Sequence, residues 1–361
     1  MTTCWKVYQQ NSSRLRLRES GGRCLRSIEG EVRLRPAPDT LVLKLKLFLA
    51  PIHGQPNIEH DAKPFCAMAN CPRRSIFYEV PRMRFRVTNV GSCVLICLAL
   101  CLAAGAADFK NVQFAEVDGV RLTMDAHVPE GVGPFPAAVL VHGGGWVAGD
   151  KQQYITYIFQ PLSDAGFAWF SINYRLAPQY RFPADADDVE AAIRFVKANA
   201  ARYKVDPRRI ALLGESAGGH LVSYVGARNR PESRVAAVVS MYGIHDFISA
   251  CVEWKPVPTE ILQLFGISEI DADAAPILLK ASPVMYVKRD MPPFLLMHGS
   301  KDEDVPYAQS VEMCRKMKKA GARCDLITIE GAPHGMDHWE QVPEFLWYKQ
   351  ALMDWLKKTL R

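Results

Sequence analysis

The chain has 361 residues, 49% of them apolar, enough for one large core or two small ones and far from the composition of a disordered protein. Its formal charge of +6 does not mark a nucleic-acid partner, because the excess is local: residues 1–82 hold 14 Lys and Arg against 7 Asp and Glu, and residues 83–361 hold 30 against 31. The nearly neutral remainder lacks the basic footprint that polyanion binding needs.

Cysteine is skewed the same way, with seven before residue 107 and only Cys251, Cys314 and Cys324 after it. No Cys/His cluster has zinc spacing, so no metal is expected. Cys314 falls late in one predicted helix and Cys324 opens the next predicted strand, so the two can pair in an oxidising compartment. Three buried free thiols are the default expectation.

From Met83 the chain reads Met-Arg-Phe-Arg, then an uncharged stretch centred on the apolar run Cys93–Ala104, then Gly105-Ala106-Ala107. A basic start, a short apolar run and a small-residue cleavage site are the regions of a secretory signal peptide. Cleavage is expected after Ala106. The run is too short to span a bilayer, which takes about 20 apolar residues. A signal peptide works from the N-terminus, yet 82 residues precede this one. The expectation is that translation begins at Met83 and that residues 1–82, which lack sustained periodicity, are no part of the fold; a basic cytosolic tail ahead of a signal anchor is the alternative. Residues 83–106 are then the signal peptide and residues 107–361 the folded domain, secreted or periplasmic and without stable membrane insertion.

Val112–Glu116 and Val120–His127 around Asp118-Gly119 predict an opening hairpin. Beyond it lie short, nearly continuous apolar runs at Ala137–Val141, Ala168–Asn173, Ile210–Leu213, Ala236–Met241, Phe294–Met297 and Asp325–Ile329. Strands buried on both faces of a parallel sheet require such runs. Helices are predicted at Ala186–Ala201 after Pro183, from Ser216, at Tyr307–Ala320 after Pro306, and at Glu344–Thr359. Alternation of this kind predicts an α/β fold with a doubly wound, mostly parallel sheet and helices on both faces.

Ile210–His220 runs a strand straight into a helix, with Ser216 at the turn in Gly214-Glu215-Ser216-Ala217-Gly218. A strand-to-helix turn this sharp strains the backbone at the serine and leaves no room for side chains at the flanking glycines. It lifts the hydroxyl to a helix N-terminus, where negative charge is favoured. After the first buried strand comes His142-Gly-Gly-Gly-Trp146, whose glycines let amides approach a substrate oxygen. Gly144, Gly145 and Ala217 are the expected oxyanion hole, and His142 is expected to brace the loop.

A serine hydroxyl needs a base, and in this arrangement the order is serine, acid, histidine. Asp302, in His298-Gly-Ser-Lys-Asp302, and His334, in Gly331-Ala-Pro-His-Gly335, each follow a predicted strand at the edge where Ser216 sits. Asp302 is the expected acid and His334 the expected base, with Asp304 and His338 as rivals. Such a triad requires no cofactor.

These motifs, with Asn173-Tyr-Arg-Leu-Ala-Pro178 and the Gly-x-x-Asp-x-x-Val-Pro loop at 299–306, resemble the acetyl-esterase and hormone-sensitive-lipase-like branch of the α/β hydrolases. Within it, the chain resembles most the secreted bifunctional acetylxylan/feruloyl esterases. The resemblance runs collinearly from about residue 110 to 360. It implies an α/β-hydrolase fold with a small cap insertion at Gly243–Asp290, and a serine carboxylesterase whose substrates are small-molecule or polysaccharide-linked acetyl or feruloyl esters. It also implies an internal Arg175–Asp188 ion pair. Trp146 and Trp339, with Phe247, Trp254, Leu262 and Phe265 of the cap segment, are expected either to line the substrate cleft or to be core aromatics. An arylformamidase or a peptidase-like amide hydrolase would use the same triad; a non-catalytic adhesion protein is the remaining alternative.

Overall fold

The computed structural model describes residues 105–361. The readings for residues 1–82 and for the leader up to residue 104 lie outside the described residues. Eight strands form one sheet: β1 Ala107–Val117, β2 Val120–Val128, β3 Phe135–Val141, β4 Ala168–Ile172, β5 Val205–Glu215, β6 Ala237–Met241, β7 Phe294–Gly299 and β8 Cys324–Ile329. Their order is β1-β2-β4-β3-β5-β6-β7-β8. The opening hairpin is antiparallel and adds β2 antiparallel to β4, while every later pairing is parallel. Asp118 and Gly119 both take positive φ, 53° and 75°, as a two-residue hairpin turn that matches strand twist demands.

Nine α-helices accompany the sheet among the described residues: α1 Phe159–Asp164, α2 Ala184–Ala198, α3 Ala217–Arg228, α4 Phe247–Glu253, α5 Thr259–Phe265, α6 Ala275–Ala281, α7 Ala308–Lys319, α8 Met336–Trp339 and α9 Trp347–Thr359. Alternate residues of each central strand feed two cores. Ala137, Val139 and Val141 pack with α2, α3 and α7 on one face, and Ala138 and Leu140 pack with α1 and α9 on the other. Each fully buried Val, Leu or Ile contributes about 1.5–3 kcal/mol relative to exposure. The expected doubly wound sheet is therefore the observed one. The Gly243–Asp290 insertion supplies α4, α5 and α6, the small cap.

Three differences have physical causes. β5 is longer than Ile210–Leu213 because Val205 also pairs with Phe135 of β3, across a register shift that accommodates the polar stretch between them. β8 lies at the sheet edge, so its interior positions are only half-buried. Cys314 and Cys324 are joined by a disulfide that ties α7 to β8, in place of free thiols; Cys251 stays unpaired.

The implied Arg175–Asp188 pair is present and buried. Asp188 accepts from Arg175 Nε at 2.9 Å, from Nη2 at 2.8 Å and from the Arg175 backbone N–H at 2.9 Å. Arg175 Nη1 also reaches Asp118 at 2.9 Å. One guanidinium thus joins the segment after β4 to α2 and to the hairpin turn. Removing Asp188 leaves the buried guanidinium only the exposed Asp118 as a counter-charge, so Asp188→Ala is expected to lower unfolding free energy by about 3 kcal/mol, the lower end for breaking a buried pair, in a denaturant titration. A loss below about 1 kcal/mol, the value of a surface pair, would contradict this account.

Candidate active site

β5 ends at Glu215 and α3 begins at Ala217, leaving Ser216 between them at φ 52°, ψ −118°. A non-glycine residue there costs of order 1–3 kcal/mol and persists only when its surroundings overdetermine it. Ser216 N–H is held by the Met241 carbonyl at 2.9 Å, and its own carbonyl accepts His220 N–H at 3.0 Å. A Cβ on Gly214 would strike the Gly218 carbonyl, and one on Gly218 the carbonyls of Val141 and His142.

The loops after β7 and β8 bring the expected partners to this turn. His334 Nε2 lies 3.0 Å from Ser216 Oγ, and His334 Nδ1 lies 2.7 Å from Asp302 Oδ2. Asp302 Oδ1 accepts the backbone N–H groups of Asp304 at 3.0 Å and Val305 at 2.8 Å. Burial alone would raise the Asp302 carboxyl, but hydrogen bonds from His298 and His334 outweigh it and hold the pKa down to about 2. Burial likewise pushes the His334 imidazole down, and the bond and charge of Asp302 overcome this, raising it above its ordinary value.

The rivals have other tasks. Asp304 donates its backbone N–H to Asp302. His338 is exposed, and its Nδ1 bonds the His334 carbonyl at 2.8 Å.

Gly144 and Gly145 take positive φ, 96° and 60°, and line the cleft with Ser216. Ala217 opens α3, so its N–H has no intrahelical acceptor. Buried polar groups hold the glycine loop. Gly143 N–H donates to Glu215 Oε1, and Tyr174 Oη donates to the His142 carbonyl at 3.0 Å. The His142 ring stacks on Tyr174, with centroids 4.3 Å apart, as a bracing residue should. Burial drives its pKa down to about 4 and pushes Glu215 up to about 7. Trp146 Nε1 donates to His220 Nδ1 at 3.1 Å, and His220 Nε2 donates to the Ala281 carbonyl at 2.9 Å. The loop is thereby tied to α3 and to the cap.

The cleft has two lobes that meet at Ser216. The larger, about 490 Å³, includes Trp146, Ile244, Trp254 and Ile261, and the smaller, about 290 Å³, includes Glu215, Asp337 and His338. Trp146 borders the larger lobe although it is only 3% exposed. Trp339 does not reach either lobe. It is fully buried, donates to the Pro333 carbonyl and packs edge-on against Tyr242 and Tyr348. Its role is corrected accordingly, from substrate contact to support beneath the His334 loop. Phe247 and Phe265 are core residues, and Trp254 alone of the four cap residues singled out in the sequence lines the cleft.

Sequence reasoning assigned no task to Glu215 or Tyr154. Glu215 sits inside the quoted motif, whereas Tyr154, 46% exposed and present in both lobes, carries no sequence signal. Among the described residues, no three His, Cys, Asp or Glu side chains converge as metal ligands.

The BD-FAE family model matches residues 124–317, a segment with Ser216 and Asp302 inside it and His334 beyond its end. The esterase LipC of Mycobacterium tuberculosis (strain ATCC 25618 / H37Rv) is 30% identical over 216 residues, covering 56% of this chain and 54% of that protein. The probable carboxylic ester hydrolase LipM of the same organism is 32% identical over 200 residues, 52% of this chain and 46% of that protein. The chain thus spans about half the length of the curated relatives it matches. A solved structure described as a truncated form of carbohydrate esterase from gut microbiota superposes with a TM-score of 0.63 at 27% identity, covering 70% of this chain and 96% of that one. The fold is that of the α/β hydrolases, and the chain belongs to the BD-FAE family.

Proposed function

We propose that the protein is a secreted serine carboxylic-ester hydrolase that works through an acyl-enzyme on Ser216. The observation that carries this reading is the hydrogen-bonded line from Ser216 Oγ through His334 to Asp302, at 3.0 Å and 2.7 Å. His334 accepts the hydroxyl proton as Oγ attacks the ester carbonyl. The amides of Gly144, Gly145 and Ala217 hold the oxyanion of the tetrahedral intermediate, each supplying about 3 kcal/mol in the transition state. His334 returns the proton to the departing alcohol; water then repeats the two steps, releasing the acid and regenerating the serine. The esterase names of the mycobacterial relatives favour an ester over an amide substrate, and a non-catalytic reading leaves the convergent triad without purpose.

Acetyl or feruloyl esters of plant polysaccharide are the leading substrate class, supported by the family resemblance and by the carbohydrate esterase that superposes. The two lobes give room for groups on both sides of an ester bonded at Ser216. Their lining includes Glu260, Glu303, Asp304 and Asp337 and no Lys or Arg, a surface that repels anions.

Ser216→Ala is expected to lower kcat on 4-nitrophenyl acetate by roughly 10⁴ to 10⁶, and retained hydrolysis would overturn the mechanism. Because a protonated His334 cannot accept the serine proton, the raised imidazole pKa places the acid limb of kcat/KM above pH 6.5, with activity lost as pH falls through it. In a panel of acetylated xylan, a methyl ferulate, an aryl formamide and an anionic hemisuccinate ester, neutral esters should lead. The hemisuccinate should trail by about tenfold or more at low salt, and the gap should narrow as salt rises. A leading aryl formamide would move the assignment to amide hydrolysis.

Delivery out of the cytoplasm rests on residues 83–106. N-terminal sequencing of the natural protein is expected to begin at Ala107, and any peptide from residues 1–82 would count against a start at Met83.

A further inference from the structure

We propose that His298 is a positioning residue of the triad, its Nε2–H being a second donor to the carboxylate oxygen of Asp302 that holds His334. The role rests on the triad reading above and concerns a residue that reading does not use. His298 lies on β7, fully buried, four residues before Asp302. Its Nε2 is 3.2 Å from Asp302 Oδ2 and 3.0 Å from the Val305 carbonyl oxygen. Both neighbours only accept, so Nε2 carries the proton. Nδ1 then accepts, and its neighbour at 2.7 Å is the Ser310 hydroxyl on α7, which donates.

The tautomer is therefore set from both sides, by the loop that carries the acid and by the helix behind it. With His334 on Oδ2 and two backbone amides on Oδ1, the Asp302 carboxylate receives three hydrogen bonds, and the His298 ring N–H, shared with the Val305 carbonyl, approaches Oδ2 as a fourth contact.

Two consequences follow for catalysis. Without His298, the carboxylate keeps its bond to His334 but is oriented less tightly, so the imidazole is less well aligned on Ser216 Oγ and kcat falls without any change in the substrate lobes. Second, Oδ2 divides its negative charge between two donors. Left with one, it stabilises a protonated His334 more strongly, so the base becomes harder to deprotonate. The other groups facing this pair stay in place: Asp304, Glu215 and the Tyr242 ring around His334, and Tyr307 and His245 beside His298.

The test compares His298→Leu, which removes the donor, with His298→Gln, whose amide can reach the same oxygen, on 4-nitrophenyl acetate. For His298→Leu, kcat should fall by about 10- to 100-fold, the scale of a misplaced reacting group, with KM unchanged and the acid limb of kcat/KM moved to higher pH. His298→Gln should restore most of kcat and return the acid limb. A folded His298→Leu protein with wild-type kcat and an unmoved limb overturns the proposal, as do equal losses in both variants with the limb unmoved, which mark a packing role only. If His298→Leu does not fold, Ser310→Ala, which removes the hydroxyl donor to Nδ1, decides: a limb shift supports the role, and a wild-type profile overturns it. Ser216→Ala in the same assay separates the two ideas, because activity surviving that change defeats the triad reading whatever His298 does.

Discussion

The structure turns on one tight approach, the wedging of the first turn of α3 between the ends of β3 and β6. Gly214 and Gly218 permit it because a side chain at either would occupy the space of a backbone carbonyl. The strained φ of 52° at Ser216 is its consequence, tolerated because the sheet on one side and the helix on the other leave the chain no relaxed path. From that approach follow the hydroxyl raised above the sheet edge, the free amide of Ala217 beside it, and the closeness of the glycine loop after β3.

That loop is held by chemistry unusual for an interior. Glu215, next to the serine and buried at the edge of the smaller lobe, takes the Gly143 amide, and burial lifts its pKa to about 7. Tyr174, stacked on His142, takes the next carbonyl, while Trp146 and His220 pass the connection on to the cap. Each polar atom named here has its partner, and satisfied buried networks of this kind rigidify what they touch. The proposed oxyanion site requires such rigidity, because donors that must reorient give up part of their benefit.

The fold was largely legible in the chain because central parallel strands are buried on both faces and read as unbroken apolar runs. The reading failed where that signal fades. β5 continues through Asp206-Pro207-Arg208-Arg209, a stretch that reads as a loop until the pairing of Val205 with Phe135 is seen. The short helices α1, α4, α5, α6 and α8 span seven residues or fewer, too short for helical periodicity to emerge. The disulfide between Cys314 and Cys324 depends on how α7 meets β8, which spacing does not specify.

The sequence by itself determined the identity and order of the groups that meet in the cleft. Gly214-Glu-Ser-Ala-Gly218, the glycine loop and the Asp302 and His334 segments are each local, and their chemistry follows from residue type and from position after a strand. Only the tertiary structure brings Asp302 rather than Asp304, and His334 rather than His338, into line with Ser216, and puts Trp146 at the cleft and Trp339 in the core. Those choices depend on the direction in which a side chain leaves its loop, and this is set by contacts with residues far away in the chain. His298 shows the same division. Its place four residues before Asp302 was visible from the start, but its approach to that carboxylate and the Ser310 hydroxyl that meets the other side of the ring appear only in the folded chain.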